Sequence, residues 1–239
     1  MTFYELIIIC FFCFFQSIFG VGLLLFGTPT FLMFGYSYFE VLNILLPYSI
    51  IIIFLKIIYK KNKDIVFAIK FLKFSVPFLI LSLIFLKYFH SSIDFILLVS
   101  FILIIFSSMN IFLFNKNSFK IKNINLALML LGVLHGFTNL GGTLLAIIAS
   151  NISKNKDTIL YYIANGYLIF AIFQLLFVNI FFEKLNLLNL QYIWLPIFIF
   201  LLSRIIFNKI ENIIFYRLLN IFTLFYGIYI LINLLILYF

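Results

Sequence analysis

Nine neutral polar side chains interrupt long apolar runs of this chain: Gln16, Ser17, Thr28, Asn43, His135, Thr138, Asn139, Thr143 and Asn165. The seven carboxylates (Glu5, Glu40, Asp64, Asp94, Asp157, Glu183, Glu211) all fall at or near the ends of those runs. Neutral donors and one histidine, with no acid among them, offer hydrogen bonds to a negative group and no counter-charge to a cation. Glycine accompanies them at Gly20, Gly22 and Gly27, and again at Gly136, Gly141 and Gly142. Glycines break helices and bare the backbone N–H groups of the next helix start, whose positive dipole end favours an anion. The chemistry available is therefore reversible binding of an anion. An acid, base or nucleophile set for covalent catalysis is lacking, since His135 has no carboxylate partner.

The two clusters repeat. A constant offset of 119 residues lays Gln16 over His135, Gly20 over Asn139 and Gly22 over Gly141. Paired, Gly-interrupted hydrophobic segments in corresponding parts of two halves point to the binding site of a transporter. The halves are residues 1–118 and 119–239.

The elements that position these clusters follow from composition. The 239 residues are 66% hydrophobic and 10% charged, against about half and about a quarter in a soluble domain. Such a chain is integral to a lipid bilayer, expected in the plasma (inner) membrane with several passes. Glu5 stands where the basic start of a cleavable signal would be, and no cleavage site follows, so the first run is expected to persist. Cys10 and Cys13 lie inside that run and read as small apolar residues rather than a redox or metal pair.

About 20 apolar residues cross the hydrocarbon core as a helix. Uncharged stretches cover 6–39, 41–55, 74–86 extended past Lys87 to 93, 95–115, 123–153, 158–182, 185–203 and 218–239. The fold class is an all-α polytopic membrane protein of eight hydrophobic segments in two homologous halves. The long segments 6–39 and 123–153 hold the glycines, and each is expected to be a helix of roughly 16 residues, a break, and a helix of roughly 12. If every segment crosses once, the basic residues divide ten against six. If both broken segments return to the side they entered, they divide fourteen against two, with only Lys87 and Lys184 opposite. The positive-inside rule favours the second arrangement. Each half is then a hairpin plus three crossings, the halves are inverted repeats, and both termini lie outside. The net charge of +9 is explained by those loops, so nucleic acid is not an expected partner.

At these residues the chain resembles the TauE/SafE family of membrane transporters, the sulfite exporters. Phe19-Gly20-Val21-Gly22 with Pro29 and Gly35 is similar to the first copy of the family's Gly-rich stretch. Leu131-Gly132 through Gly136, then Gly141-Gly142, is similar to the second. Leu23 and Leu24 replace the later glycines of the first copy, and Asn139, Thr143 and Ile148 depart from the second. The resemblance implies export or exchange of small sulfur-containing anions across the plasma membrane, with no cofactor and no enzymatic activity.

The expected site joins Gly20, Gly22, Gly27, Thr28 and Pro29 to His135, Thr138, Asn139, Gly141, Gly142 and Thr143 near mid-membrane, with the backbone at Gly22 and Gly141 approaching the substrate. Gln16, Asn43 and Asn165 line the path. An anion channel, a membrane enzyme and a non-transporting membrane subunit are the rival classes.

Overall fold

The computed structural model describes residues 2–58, 64–89, 94–114, 121–153, 155–182, 192–207 and 212–238; side chains are described for these except 110–114, 156, 204–207, 212–220, 237 and 238. Among the described residues the regular structure is all helical. The order is α1 (Phe3–Phe19), α2 (Leu23–Met33), α3 (Tyr38–Ile58), α4 (Ile65–Phe74), α5 (Val76–Phe89), α6 (Phe95–Phe114), α7 (Ile124–Thr138), α8 (Gly142–Ile152), α9 (Lys156–Phe181), α10 (Trp194–Phe207) and α11 (Asn212–Tyr238). Tyr38–Ile58, Ile65–Phe89 and Asp157–Phe181 are long and apolar enough to span a bilayer, which makes this a membrane-associated helical protein.

Local chemistry sets the helix ends. Thr2 and Glu5 form a capping box that starts α1, and Ser37 with Glu40 starts α3 in the same way. Asp64 accepts from the Phe67 N–H at 3.1 Å and starts α4 well before the expected boundary at residue 74. Lys70 and Lys73 therefore lie inside a helical rod that continues through Ser75 into α5, not in a loop. The sequence reading missed this because it took lysines as loop markers, whereas a long lysine side chain can reach the interface from a helix.

Both long segments are broken where the glycines predict. Gly20 ends α1 in the left-handed region at φ 81°, and its N–H closes on the Gln16 carbonyl. Asn139 ends α7 at φ 62°, and its N–H closes on the His135 carbonyl. Asparagine is one of the few non-glycine residues that accepts this conformation. The flanking helices have 17 and 11 residues in the first segment and 15 and 11 in the second.

Each broken segment doubles back. The Phe26 ring of α2 packs on Phe12 and Phe15 of α1, and Tyr36, just beyond α2, donates to Glu5 at the start of α1 at 2.5 Å. In the second segment the Ile121 N–H donates to Asn151 near the end of α8 at 3.0 Å. The two hairpins enter from opposite ends of the bundle. α1 runs alongside α3 in the same direction: Glu5 lies by Tyr36, Gln16 by Ser49 and Gly20 by Lys56. α7 runs alongside α4 and α5: Ser75 donates to the Leu128 carbonyl, and Gly136 lies against Ser82. α3 and α9 are antiparallel, with Phe39 stacked on Phe182 at one end and Tyr162 donating to Asp64 at the other. α11 returns toward the Glu5 end, with Phe222 on Phe26 and the Tyr226 hydroxyl on Thr30.

Gly132 and Gly136 work as packing residues. A Cβ on Gly132 would overlap the Ser75 carbonyl oxygen, and one on Gly136 would stand 2.6 Å from Ser82 Cβ. Small residues four apart let helix backbones approach, which is how helices associate where lipid removes the hydrophobic drive.

The expected boundary between halves, near residues 118–119, lies outside the described residues. So do Lys60, Lys61, Lys63, Lys116, Lys120, Lys154, Lys184 and Lys209, and the side chains of Lys156, Arg204 and Arg217.

Candidate functional site

The tip of the second hairpin meets the middle of α2 inside the bundle. Asn139 Nδ2 donates to Thr28 Oγ1 at 2.9 Å, and both residues are fully buried. The Tyr38 hydroxyl of α3 donates to the Gly136 carbonyl at 2.8 Å, tying the second hairpin to the start of α3.

The same device builds both breaks. α2 and α8 begin after glycines, Gly22 and Gly141, which have no side chain to cap the orphan N–H groups of a helix start. A side chain from the last turn of the preceding helix supplies the cap instead. Gln16 Oε1 accepts from the Leu23 N–H at 3.1 Å, and His135 Nδ1 accepts from the Gly141 N–H at 3.1 Å. Gln16 also donates from Nε2 to the Ser49 hydroxyl at 2.7 Å, so both ends of its amide are used.

Crowding explains both glycines. A Cβ on Gly22 would lie 2.7 Å from the Gln16 backbone nitrogen, and one on Gly141 would lie 2.8 Å from His135 Cβ. On the side where a Cβ would stand, Gly22 and Gly141 are each closed against their own preceding helix. Gly27 likewise packs on Leu45 of α3. Gly20 is more open, with Leu160, Ile163 and the Lys56 ammonium each 3.7 Å from the position of a Cβ. Pro29 sits buried within α2, where it removes a helix N–H.

The remaining expected residues separate. Thr138 donates to the Leu134 carbonyl at 2.7 Å and accepts from the Leu140 N–H, so it stabilises the break. Thr143 is buried in the first turn of α8. Asn165 is half-buried and donates to the Tyr161 hydroxyl one turn back, away from the hairpin tips. Asn43 is buried with its Oδ1 unpartnered.

The polar groups left without a hydrogen bond concentrate at the second break. They include His135 Nε2, Asn139 Oδ1, the Tyr167 hydroxyl and both amide atoms of Gln174, on residues at most 2% exposed. An imidazolium has no acceptor nitrogen, so a ring that accepts from Gly141 is neutral and carries its proton on Nε2. That Nε2–H is a buried, unspent donor. The His135 ring stacks on Phe170 at 4.4 Å and meets the edge of Tyr167 at 5.6 Å. Gln174 comes close to the ring without a well-formed hydrogen bond. A Cβ on Gly142 would overlap the Tyr167 hydroxyl, which presses against the backbone at the start of α8. A buried polar group left unpaired costs about 1–3 kcal/mol, so four such residues around one break need a reason.

Reading the sequence missed Ser49, Lys56, Tyr167 and Gln174. Each comes from α3 or α9, and nothing in a single chain reports how those helices rotate toward the breaks.

A cavity of about 710 Å³ opens at the mouth of the first hairpin, not between the tips, lined by Thr2, Glu5, Ile8, Phe34, Tyr36 and Glu40. Its two carboxylates have the wrong sign for an anion. The Tyr36 hydroxyl is pushed up to about 12 by its bond to Glu5 and by burial, so it stays protonated as the donor of that bond. At the opposite end the Tyr162 hydroxyl, then the Phe67 N–H, hold the Asp64 carboxyl below the usual carboxylate range.

Comparison of the chain with protein-family models, with curated proteins and with solved structures gives no match.

Proposed function

We propose that the chain is a multi-pass secondary carrier of the plasma (inner) membrane that exports or exchanges small anions, sulfur oxyanions and organosulfonates among them. The carrying observation is the group of unspent buried donors around the start of α8: His135 Nε2–H, the Tyr167 hydroxyl and the Gln174 amide. A helix N-terminus with neutral donors and no carboxylate is an anion-binding arrangement. Hairpins that enter from opposite ends and meet at Thr28 and Asn139 support a reading as inverted repeats, residues 1–118 and 119–239, with six crossing segments and two that re-enter. Rocking of one half against the other would expose the site alternately. The described lysines fit this orientation. Lys56, Lys70, Lys73 and Lys122 belong to the Asp64 end, which is then cytoplasmic, and Lys87 reaches the Phe181 ring at the other. The kinship with sulfite exporters rests on the glycine pattern and stays part of this proposal.

The close packing of Gly22, Gly132, Gly136 and Gly141 favours a second reading, a non-transporting membrane subunit. Purified protein in proteoliposomes, screened with sulfite, thiosulfate and sulfoacetate for uptake and efflux, separates the two. Saturable flux with counterflow is the expected result. Linear, non-saturating flux would mean a channel, and no flux of any anion would favour the subunit.

A further inference from the structure

We infer that His135 carries one proton with each monovalent anion, making this an electroneutral anion–proton symporter. The inference rests on the carrier reading above and assigns its coupling ion.

The two breaks show why histidine matters. Gln16 and His135 hold equivalent positions at the repeat offset and do matching structural work: Gln16 accepts from the first N–H of α2, and His135 from the N–H of the residue just before α8. Glutamine does that work with a group that cannot ionise, and its second end is spent on Ser49. Histidine adds a group that can take a proton, buried completely, with its second nitrogen unspent. Capping alone does not require that difference.

Among the side chains described at this break, histidine is the type whose unperturbed charge change falls near neutrality. The titratable groups near it are Tyr167 of α9, beside Phe170 and Gln174, and Tyr38 of α3, whose hydroxyl donates to the adjacent Gly136 carbonyl; phenols ionise far above neutrality. The polar side chains that α5, α2 and α8 bring to this end of α7 are Ser82, Thr28 and Thr143, none of which ionises in that range. Lys56 stands at the other break, by Gly20. An anion entering here alone would be an unpaired buried charge, which loses its hydration with nothing to replace it. A proton on His135 supplies the partner.

The step balances. Nδ1 takes a proton as the anion enters, and the neutral ring becomes an imidazolium with N–H at both nitrogens. Nδ1 can then no longer accept from Gly141, so that backbone N–H is freed toward the anion at the start of α8. On the far side the anion leaves, Nδ1 gives up its proton, and the cap on Gly141 re-forms. The only covalent change is making and breaking one N–H bond.

Methanesulfonate is a suitable probe, because its single charge does not change across the working pH range. Vesicles held at pH 7.5 inside and 6.5 outside should accumulate labelled methanesulfonate about tenfold, since one pH unit is a tenfold proton ratio. The outer medium should turn alkaline by one proton per anion taken up. His135→Gln copies the residue of the first break and should fold, which a thermal melt checks. Whatever flux it retains should ignore the pH gradient. Wild-type uptake without alkalinisation, or His135→Gln uptake that still follows the gradient, overturns the inference while leaving an anion carrier. No methanesulfonate uptake, even in exchange for internal methanesulfonate, overturns both.

Discussion

The two breaks are built to one plan and differ in what they leave over. Each joins a left-handed cap, a Gly-initiated helix and a side chain that reaches across to cap it. In the first, Gln16 spends both amide ends, and Gly20 faces Leu160, Ile163 and Lys56. In the second, His135, Tyr167 and Gln174 keep unspent polar groups in full burial. A break satisfied throughout is a folding device. A break that tolerates unpaired donors pays a stability cost that binding can repay, and that difference points to the second hairpin as the functional one.

The shared plan predicts shared fragility, and this is the largest effect expected. A methyl at Gly22 meets backbone that cannot move aside, and one at Gly141 meets His135 and Leu131. Overpacking of this kind costs about 1–3 kcal/mol. Gly22→Ala should lose about 3 kcal/mol and Gly141→Ala about 2 kcal/mol, read as lowered unfolding midpoints in detergent. If Gly141→Ala melts like wild type but fails in transport, the space beside its Cα belongs to the substrate and not to packing, and the comparison breaks.

The caps allow a finer test. Asn139→Gly keeps the left-handed conformation but removes the bond to Thr28, so it should cost about 1 kcal/mol. Gly20→Asn imports the residue used at the equivalent position, its Cβ in ordinary contact with Leu160, Ile163 and Lys56, and should cost less than about 0.5 kcal/mol. Unfolding midpoints of the pair check the order. A larger loss from Gly20→Asn would show that the two caps are not interchangeable.

Much of this plan was legible in the residues. Gly20, Gly22 and Gly141 could be read as breaks because glycine ends a helix by its own conformational freedom, a local property. The hairpin reading came from lysine counts, since charges report the membrane face of a loop. What glycine does at a break was not legible. The same absent Cβ lets a ligand approach or a neighbour pack, and Gly22 and Gly141 pack. Tyr167, Gln174 and Ser49 were hidden because they come from other helices, whose rotation is set by tertiary packing. Lys70 and Lys73 misled the boundary of α4, where the Asp64 cap decided.

The central claim is that the second break, and not the first, holds the anion. A carboxylate placed at each tip in turn tests it most directly. Asn139→Asp puts negative charge beside the unspent donors, while Gly20→Asp puts it at the equivalent position beside Lys56. Both variants should be compared with wild type and Asn139→Ser for saturable anion counterflow, at matched amounts of reconstituted protein. The account predicts that Asn139→Asp loses counterflow by at least about a hundredfold, the equivalent of about 2.7 kcal/mol. Asn139→Ser should be milder, and Gly20→Asp should keep most of the activity. Equal loss from the two aspartates, or none from Asn139→Asp, would contradict it.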